Sequence, residues 1–231
     1  MYTPDRIICV LGMHRSGTSC LTGSLEAAGL YLGNIQTWNP FNLKGNRENQ
    51  EIVDLHDLIL ADNGGSWDSP PRKVVWSQEH KRLALELLTS YKGLGVIGFK
   101  DPRTVLVLDG WKEISAAMDF IGIFRHPDTV AQSLMRRSQI PRKQALALWY
   151  HYNRILYHEY QRQPFPILCF DDSEEIFQAK LSAAIGVLGL IEPENSDSFY
   201  DSELKLFNND ASPRLPWKVQ RLYKHLRKVC Y

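Results

Sequence analysis

Residues 6–19 read RIICVLGMHRSGTS. The first six are an apolar, largely β-branched run typical of a buried strand, and residues 18–28 predict a helix that Gly29 ends. Gly12 and Gly17 lie between these two elements, with four residues separating them. Backbone N–H groups converge in such a turn at a helix N-terminus, where the helix dipole favours an anion. The stretch therefore predicts a phosphate-binding loop of an α/β fold, with an ordinary glycine turn as the alternative.

The residues around Gly17 differ from the loop of nucleoside triphosphatases. Thr18 and Ser19 stand where those enzymes carry Lys-Ser/Thr, so the lysine that bridges the β- and γ-phosphates is missing. The cation is instead Arg15, inside the loop, and a guanidinium can hold a terminal oxyanion through two hydrogen bonds. The loop suits a shorter anionic group, without a lysine–magnesium arrangement.

Periodicity along the rest of the chain predicts alternating strands and helices. The predicted strands span 6–11, 95–99, 119–124 and 165–170, and the predicted helices span 18–28, 48–61, 77–90, 127–137, 141–161, 174–188 and 216–229. Strands separated by helices indicate a parallel sheet covered on both faces, which binds ligands at the carboxyl ends of its strands. We expect one α/β domain over 1–231, a three-layer sandwich of P-loop type with a central parallel β-sheet flanked by helices.

Composition narrows the class of protein. The 231 residues are 44% hydrophobic and 23% charged, and their net charge of +1 argues against a surface built for nucleic acid. The four cysteines are scattered without a CxxC pair, so neither a zinc cage nor a disulfide framework is predicted. No apolar run spans a bilayer and no signal region is recognisable, so we expect a cytoplasmic protein with no membrane partner.

A candidate for a second anion site follows the third strand, although an exposed arginine and an ordinary helix serine are the simpler interpretation of these residues taken alone. Arg125 follows that strand directly, and Ser133 lies eight residues further on. If the helix begins near Pro127, Ser133 is about two turns into it. Because carboxyl ends of parallel strands share one edge, this arginine and serine would lie near the glycine loop.

Together these motifs resemble a known family. HRSGTS at 14–19 and FRHPDTVAQS, which ends at Ser133, closely resemble the two cofactor motifs of sulfotransferases that use 3′-phosphoadenosine 5′-phosphosulfate (PAPS). GFKDPR at 98–103 is similar to the lysine-containing strand end of bacterial sulfotransferases and, more distantly, of tyrosylprotein sulfotransferases. The resemblance extends from about Arg6 to Glu175.

The resemblance implies a donor site, position by position. The 5′-phosphosulfate would be held by Arg15, Ser16, Gly17, Thr18 and Ser19, and the 3′-phosphate by Arg125 and Ser133. Phe170 falls where many members place an aromatic residue against the adenine, although a core phenylalanine explains it equally well. The family's basic, glycine-containing C-terminal segment is not recognisable here, and Arg214 or Lys218 would have to replace it.

Sulfuryl transfer to a hydroxyl or amine is an in-line displacement that requires no metal in principle. The product of PAPS is adenosine 3′,5′-bisphosphate (PAP), and the charge on the leaving group and the sulfuryl oxygens must be neutralised. Arg15 and Lys100 are the predicted catalytic cations.

The acceptor also needs a base, and three residues are candidates. Glu48 ranks first, because a helix over 48–61 would place it on the same face as Ile52, Leu55 and Ile59. A catalytic glutamate lies at a similar place along the chain in the tyrosylprotein branch. Asp101 ranks second and His56 third.

The acceptor and two rival functions stay open. Trp38, Phe41, Trp67 and Trp76 lie in or beside two irregular stretches, where they would wall an acceptor site for a small molecule, carbohydrate or peptide. The rivals are a P-loop kinase of a small metabolite and a catalytically silent nucleotide-binding module of the same fold.

Overall fold

The computed structural model describes residues 4–38, 45–91, 93–192 and 214–231. Strands and helices alternate along these ranges. The strands are β1 (Arg6–Leu11), β2 (Val96–Lys100), β3 (Met118–Phe124) and β4 (Ile167–Cys169). The helices are α1 (Thr18–Ala27), α2 (Gln50–Asp62), α3 (Gln78–Thr89), α4 (Thr104–Ile114), α5 (Pro127–Ser138), α6 (Arg142–Arg162), α7 (Glu174–Val187) and α8 (Trp217–Val229).

The strands form one parallel sheet in the order β2-β1-β3-β4. On the central strand, Cys9 pairs with Phe99 of β2 on one side and with Phe120 of β3 on the other. Since all the strands run in one direction, the residues that follow β1, β2 and β3 emerge at one edge of the sheet.

Alternation along β1 divides the core into two layers. Ile8 and Val10 face a cluster formed with α1 and α7, whereas Ile7, Cys9 and Leu11 face a larger cluster that includes α2, α4, α5, α6 and α8. Helices therefore cover both faces of the sheet. This confirms the predicted α/β class with a central parallel sheet.

The helix predicted over 48–61 begins later than the sequence pattern suggests. Helix α2 begins at Gln50, and Asn49 is its N-cap, with a side-chain oxygen that accepts from the backbone N–H of Glu51 at 2.9 Å. Asparagine is a favoured N-cap because it satisfies a backbone donor that has no partner within the helix. Glu48 is therefore outside the helix, and its predicted place on an apolar helix face is wrong.

Helix α4 was not predicted. Its first half, Thr104–Leu108, is buried throughout, so the sequence lacks the alternation of apolar and polar faces that identifies a surface helix. Its N-cap, Arg103, makes no side-chain capping bond, so the usual start signal is also missing. At the other edge of the sheet, β4 is shorter than the predicted 165–170. Within the described ranges, no helix combines the length and apolarity needed to cross a membrane.

Candidate active site

The glycine loop between β1 and α1 packs too closely for side chains at its two glycines. A Cβ on Gly12 would lie 2.6 Å from the carbonyl oxygen of Ile123, and one on Gly17 would lie 2.4 Å from the Phe170 ring. Gly17 also has a φ of 89° and precedes α1 as its N-cap. Only glycine fits these two positions, so the loop turns tightly into the N-terminus of α1.

Arg15 links the glycine loop to α5. Its Nε donates to Oγ of Ser133 at 2.9 Å, which brings together the two motifs that lie 118 residues apart. Burial and the charges of Arg137 and Arg125 lower the pKa of Arg15 to about 10, so the guanidinium remains protonated at neutral pH. The arginine that the sequence places inside the loop therefore faces the second predicted anion site.

Arg125 is held in place by a carboxylate from the end of β4. Its Nε donates to Oδ1 of Asp171 at 3.2 Å, and Oδ2 of Asp171 accepts from the backbone N–H of His126. Its backbone oxygen accepts from Nε1 of Trp149 at 3.0 Å. Asp171 therefore occupies the Nε position of the guanidinium, and Trp149 fixes the backbone of Arg125.

Three buried polar atoms at these motifs lack hydrogen-bond partners. Within the part of the chain that the structure describes, these are Nε2 of His14, Oγ of Ser16 and Nη2 of Arg125. Such atoms are rare in folded proteins, because burying them without a partner costs free energy. Oxygens of two separate anionic groups would satisfy the Ser16 hydroxyl in the first motif and the Arg125 guanidinium in the second.

Lys100 and Glu48 form an ion pair beside the loop. Lys100 ends β2, its side chain is buried, and its Nζ donates to Oε1 of Glu48 at 2.7 Å and to Oγ of Ser19 at 3.3 Å. A buried ammonium needs such an opposite charge. Glu48 thus lies next to the predicted cations, although it comes from the segment before α2 and not from a helix face.

Asp101 and His56, the other candidates for the base, lie in the core. Both side chains are fully buried, with Nδ1 of His56 2.6 Å from Oδ2 of Asp101. Nε1 of Trp111 donates to Nε2 of His56 at 2.8 Å. An indole N–H only donates, so Nε2 of His56 carries no proton and Nδ1 donates its own to Asp101. Neither nitrogen is free to accept a proton from a substrate.

The charge of Asp101 is fixed by its surroundings. Burial alone would raise the pKa of this carboxyl, but the hydrogen bond from His56 and the neighbouring charges hold the pKa at about 2. Arg103 also donates to Oδ1 of Asp101, at 2.8 Å. Asp101 therefore has a structural role in the core, and of the three candidates for the base Glu48 alone lines a cleft.

A cleft of about 320 Å³ opens beside Arg15, Lys100 and Glu48. It is lined by His14, Arg15, Thr18, Ser19, Asn46, Glu48, Trp67, Lys100, Pro102, Arg103, Leu134, Arg137 and Ser138. The sequence did not single out Arg103 or Arg137. Arg137 did carry a readable signal, since it lies four residues after Ser133 on the same helix.

The aromatic residues expected around an acceptor divide between cleft and core. Trp67 lines the cleft, its ring centroid 4.6 Å from that of His14. Trp76 belongs to the core, where its Nε1 donates to the carbonyl of Val107 at 3.1 Å, so its predicted place in the acceptor wall is wrong. Trp38 is 65% exposed, and Phe41 lies outside the described residues.

His14 is a cleft residue whose charge state the sequence could not give. Burial, with the charge of Arg103, lowers its pKa to about 3, so the imidazole is neutral at neutral pH. A neutral ring in this position adds no further positive charge to the cleft.

Phe170 is packed as a core residue. Its ring is 3% exposed, lies against Gly17, and has the Arg125 guanidinium 5.0 Å from its centroid. This packing favours the core interpretation over contact with an adenine. Arg214 and Lys218, the suggested C-terminal cations, are exposed, and neither is among the residues that line the cleft.

Comparison with known proteins identifies the fold. The sequence matches no family model and no curated protein. Among solved structures, it is similar to the sulfotransferase domain of the olefin synthase from Synechococcus PCC 7002, with a TM-score of 0.63, 17% identity, and coverage of 98% of this chain and 96% of that one. The sulfotransferase domain from the curacin biosynthetic pathway gives a TM-score of 0.64, 16% identity, and coverage of 98% and 99%. The chain therefore has the fold of sulfotransferase domains.

Proposed function

We propose that this protein is a sulfotransferase that moves a sulfuryl group from PAPS to a hydroxyl or amine of an acceptor. The observation that carries the proposal is that Oγ of Ser16 in the first motif and Nη2 of Arg125 in the second are both buried and unpartnered, while the Arg15–Ser133 hydrogen bond joins the two motifs. A ligand with two separate anionic groups fits this arrangement, and PAPS carries a 5′-phosphosulfate and a 3′-phosphate.

The residues at the sheet edge divide into two groups for binding the donor. The loop around Arg15, with the hydroxyls of Ser16, Thr18 and Ser19 and the backbone of Gly17, would hold the 5′-phosphosulfate at the N-terminus of α1. Arg125 and Ser133 would hold the 3′-phosphate, with Asp171 orienting the arginine. Phe170 packs against Gly17 of the loop.

Bound PAPS supplies an activated sulfuryl group whose leaving group is PAP. The Glu48 carboxylate takes the proton from the acceptor hydroxyl as the acceptor oxygen bonds to sulfur, and the bond from sulfur to the 5′-phosphate oxygen breaks. Lys100 and Arg15 neutralise the negative charge that develops on the leaving oxygen and the sulfuryl oxygens. Since Lys100 contacts both Glu48 and Ser19, it joins the base to the donor loop.

A thermal-shift titration tests the donor. PAP without magnesium should stabilise the protein, by about 2.7 kcal/mol at a hundredfold excess over its dissociation constant. Stabilisation by magnesium–ATP with no response to PAP would overturn the proposal in favour of a kinase. The protein could also bind PAP but release no PAP from PAPS with any of a panel of hydroxyl and amine acceptors. That result would point to a silent nucleotide-binding module.

The assignment of the 3′-phosphate site is tested by Arg125→Gln. Loss of one member of a buried charged pair costs about 2–5 kcal/mol, so this variant should bind PAP at least tenfold more weakly. It should also lose the preference for PAPS over adenosine 5′-phosphosulfate. Arg154→Gln, which changes an exposed arginine on α6, is the matched control and should keep both properties.

A further inference from the structure

A second cavity, of about 460 Å³, is bounded by α4, α6 and the segment 72–76 that precedes α3. No described residue lines both this cavity and the cleft beside Arg15. Small-molecule sites in proteins usually have volumes of about 300–1,000 Å³, so the second cavity is large enough to hold a ligand of its own.

The interior of the second cavity is apolar. Val105 and Leu108 of α4 and Trp76 are buried core residues, and Ile155 of α6 is half-buried. The indole N–H of Trp76 is already used, because its Nε1 donates to the carbonyl of Val107 at 3.1 Å. These residues therefore suit the apolar part of a ligand, which they would shield from water.

The entrance of the second cavity is cationic. Arg72 and Lys73 from the segment before α3, and Arg154 and Arg162 from α6, line the cavity with exposed side chains. Within the described part of the chain, Arg72, Lys73 and Arg154 form no ion pair. Their positive charge is thus available to a ligand.

Two carboxylates also line the second cavity, and one of them is already neutralised. Glu159 is buried, accepts a hydrogen bond from Lys112 and lies 3.8 Å from Arg162. The other is Asp109, which is exposed. Positive charge therefore exceeds negative charge at the entrance, and this excess attracts an anion.

We propose that the second cavity binds an organic anion that combines an apolar body with one anionic group, such as a carboxylate or a sulfonate. The body would fill the interior against Val105, Leu108 and Ile155, and the anionic group would pair with Arg72 and Arg154 at the entrance. An inorganic anion would leave the interior empty, and a neutral apolar molecule would leave the cations unused. Because the apolar lining is largely buried, it favours a small molecule over a protein surface. The inference does not depend on the proposed transfer reaction, since no donor-site residue takes part.

Two fluorescent probes that differ in charge test the site. Anilinonaphthalene sulfonate carries one sulfonate on an aromatic body, and phenylnaphthylamine is its neutral counterpart. The wild type should bind both saturably with dissociation constants below about 1 mM, and the sulfonate more tightly. The double variant Arg72→Gln/Arg154→Gln should weaken sulfonate binding by about 4- to 20-fold and change binding of the neutral probe by less than about twofold, because only the charged pairs are lost.

Arg221→Gln is the matched control, since it removes an exposed arginine of α8 that does not line the second cavity. It should bind both probes as the wild type does. Ile155→Trp fills part of the interior and should weaken binding of both probes. Because Arg72 and Arg154 are exposed, the melting temperature of the double variant should match that of the wild type and so verify folding.

Several results would overturn this inference. A wild type that binds neither probe would leave the cations to an acidic protein segment, and equal weakening of both probes in the double variant would remove the anion from the site. An effect of Arg221→Gln equal to that of the double variant would indicate a general charge effect. Loss of sulfonate binding in Arg15→Gln alone would place the probe in the cleft. None of these results bears on PAPS, so the proposed function stands or falls separately, with the PAP titration.

Discussion

Two carboxylates lie next to Lys100, one on each side of the boundary between cleft and core. Glu48 lines the cleft with a side chain that is 17% exposed, and it pairs with Lys100 itself. Asp101 follows Lys100 in the chain, is fully buried, and binds His56 and Arg103. The comparison shows that access to the cleft depends on which side of the strand end a carboxylate occupies, and not on its distance from the lysine along the chain.

The largest expected effect comes from the carboxylate on the cleft side. Glu48→Gln should reduce PAP release from PAPS by about 10²–10⁴-fold, because a positioned base is lost. PAP affinity should not weaken, since the amide removes a negative charge from beside an anion site. The control is Glu51→Gln, an exposed carboxylate in the first turn of α2. A Glu48→Gln enzyme within a few-fold of wild type would remove Glu48 from the mechanism.

The core-side carboxylate should affect folding instead of turnover. Asp101→Asn should lower the free energy of unfolding by about 2–4 kcal/mol in urea denaturation, because an amide NH₂ cannot accept from both His56 and Arg103. Turnover below the melting transition should stay within about tenfold of wild type. Asp109→Asn, which changes an exposed residue of α4, should be neutral. If Asp101→Asn is stable but inactive, our division of roles is wrong.

Acid should reduce the difference in the free energy of unfolding between the wild type and Asp101→Asn. The folded-state pKa of Asp101, about 2, lies below the value of about 3.9 for an unfolded chain. A carboxyl whose pKa is lowered by folding stabilises the folded state at any pH above its pKa in the unfolded chain. This stabilisation disappears as the pH falls from about 4 to about 2. The difference in unfolding free energy between the two proteins should therefore shrink by about 2 kcal/mol over that range. A difference independent of pH would mean that the charge of Asp101 does not stabilise the fold.

The sequence predicts the fold because local patterns carry it. All four predicted strands are present, β4 as a shorter one, and strands separated by helices required a parallel sheet. The exceptions are local too. The first half of helix α4 has no polar face and its N-cap makes no side-chain bond, and the start of α2 is set by the cap at Asn49.

The candidate site was predicted less completely, because its decisive contacts are not local. Glu48 ranked first among the candidate bases because the sequence predicted it on a helix face, which it does not occupy. Its contact in the cleft is instead with Lys100, 52 residues away. The choice between Glu48, Asp101 and His56 depends on burial and on the contact between His56 and Asp101, 45 residues apart, which no pattern in the sequence encodes. Arg137 was overlooked for a different reason: its spacing from Ser133 was visible, but the cleft was not.

The two residues after β4 have a consequence for how this protein can be divided. Phe170 packs against Gly17 in the first motif, and Asp171 binds both Arg125 and the backbone of His126 in the second. A fragment that ended after α6 would contain both motifs in full and still lack the two side chains that support them. Motif boundaries drawn from the sequence therefore do not coincide with the smallest piece that could form the proposed donor site, and PAP binding would report whether the C-terminal third of the chain has folded onto the rest.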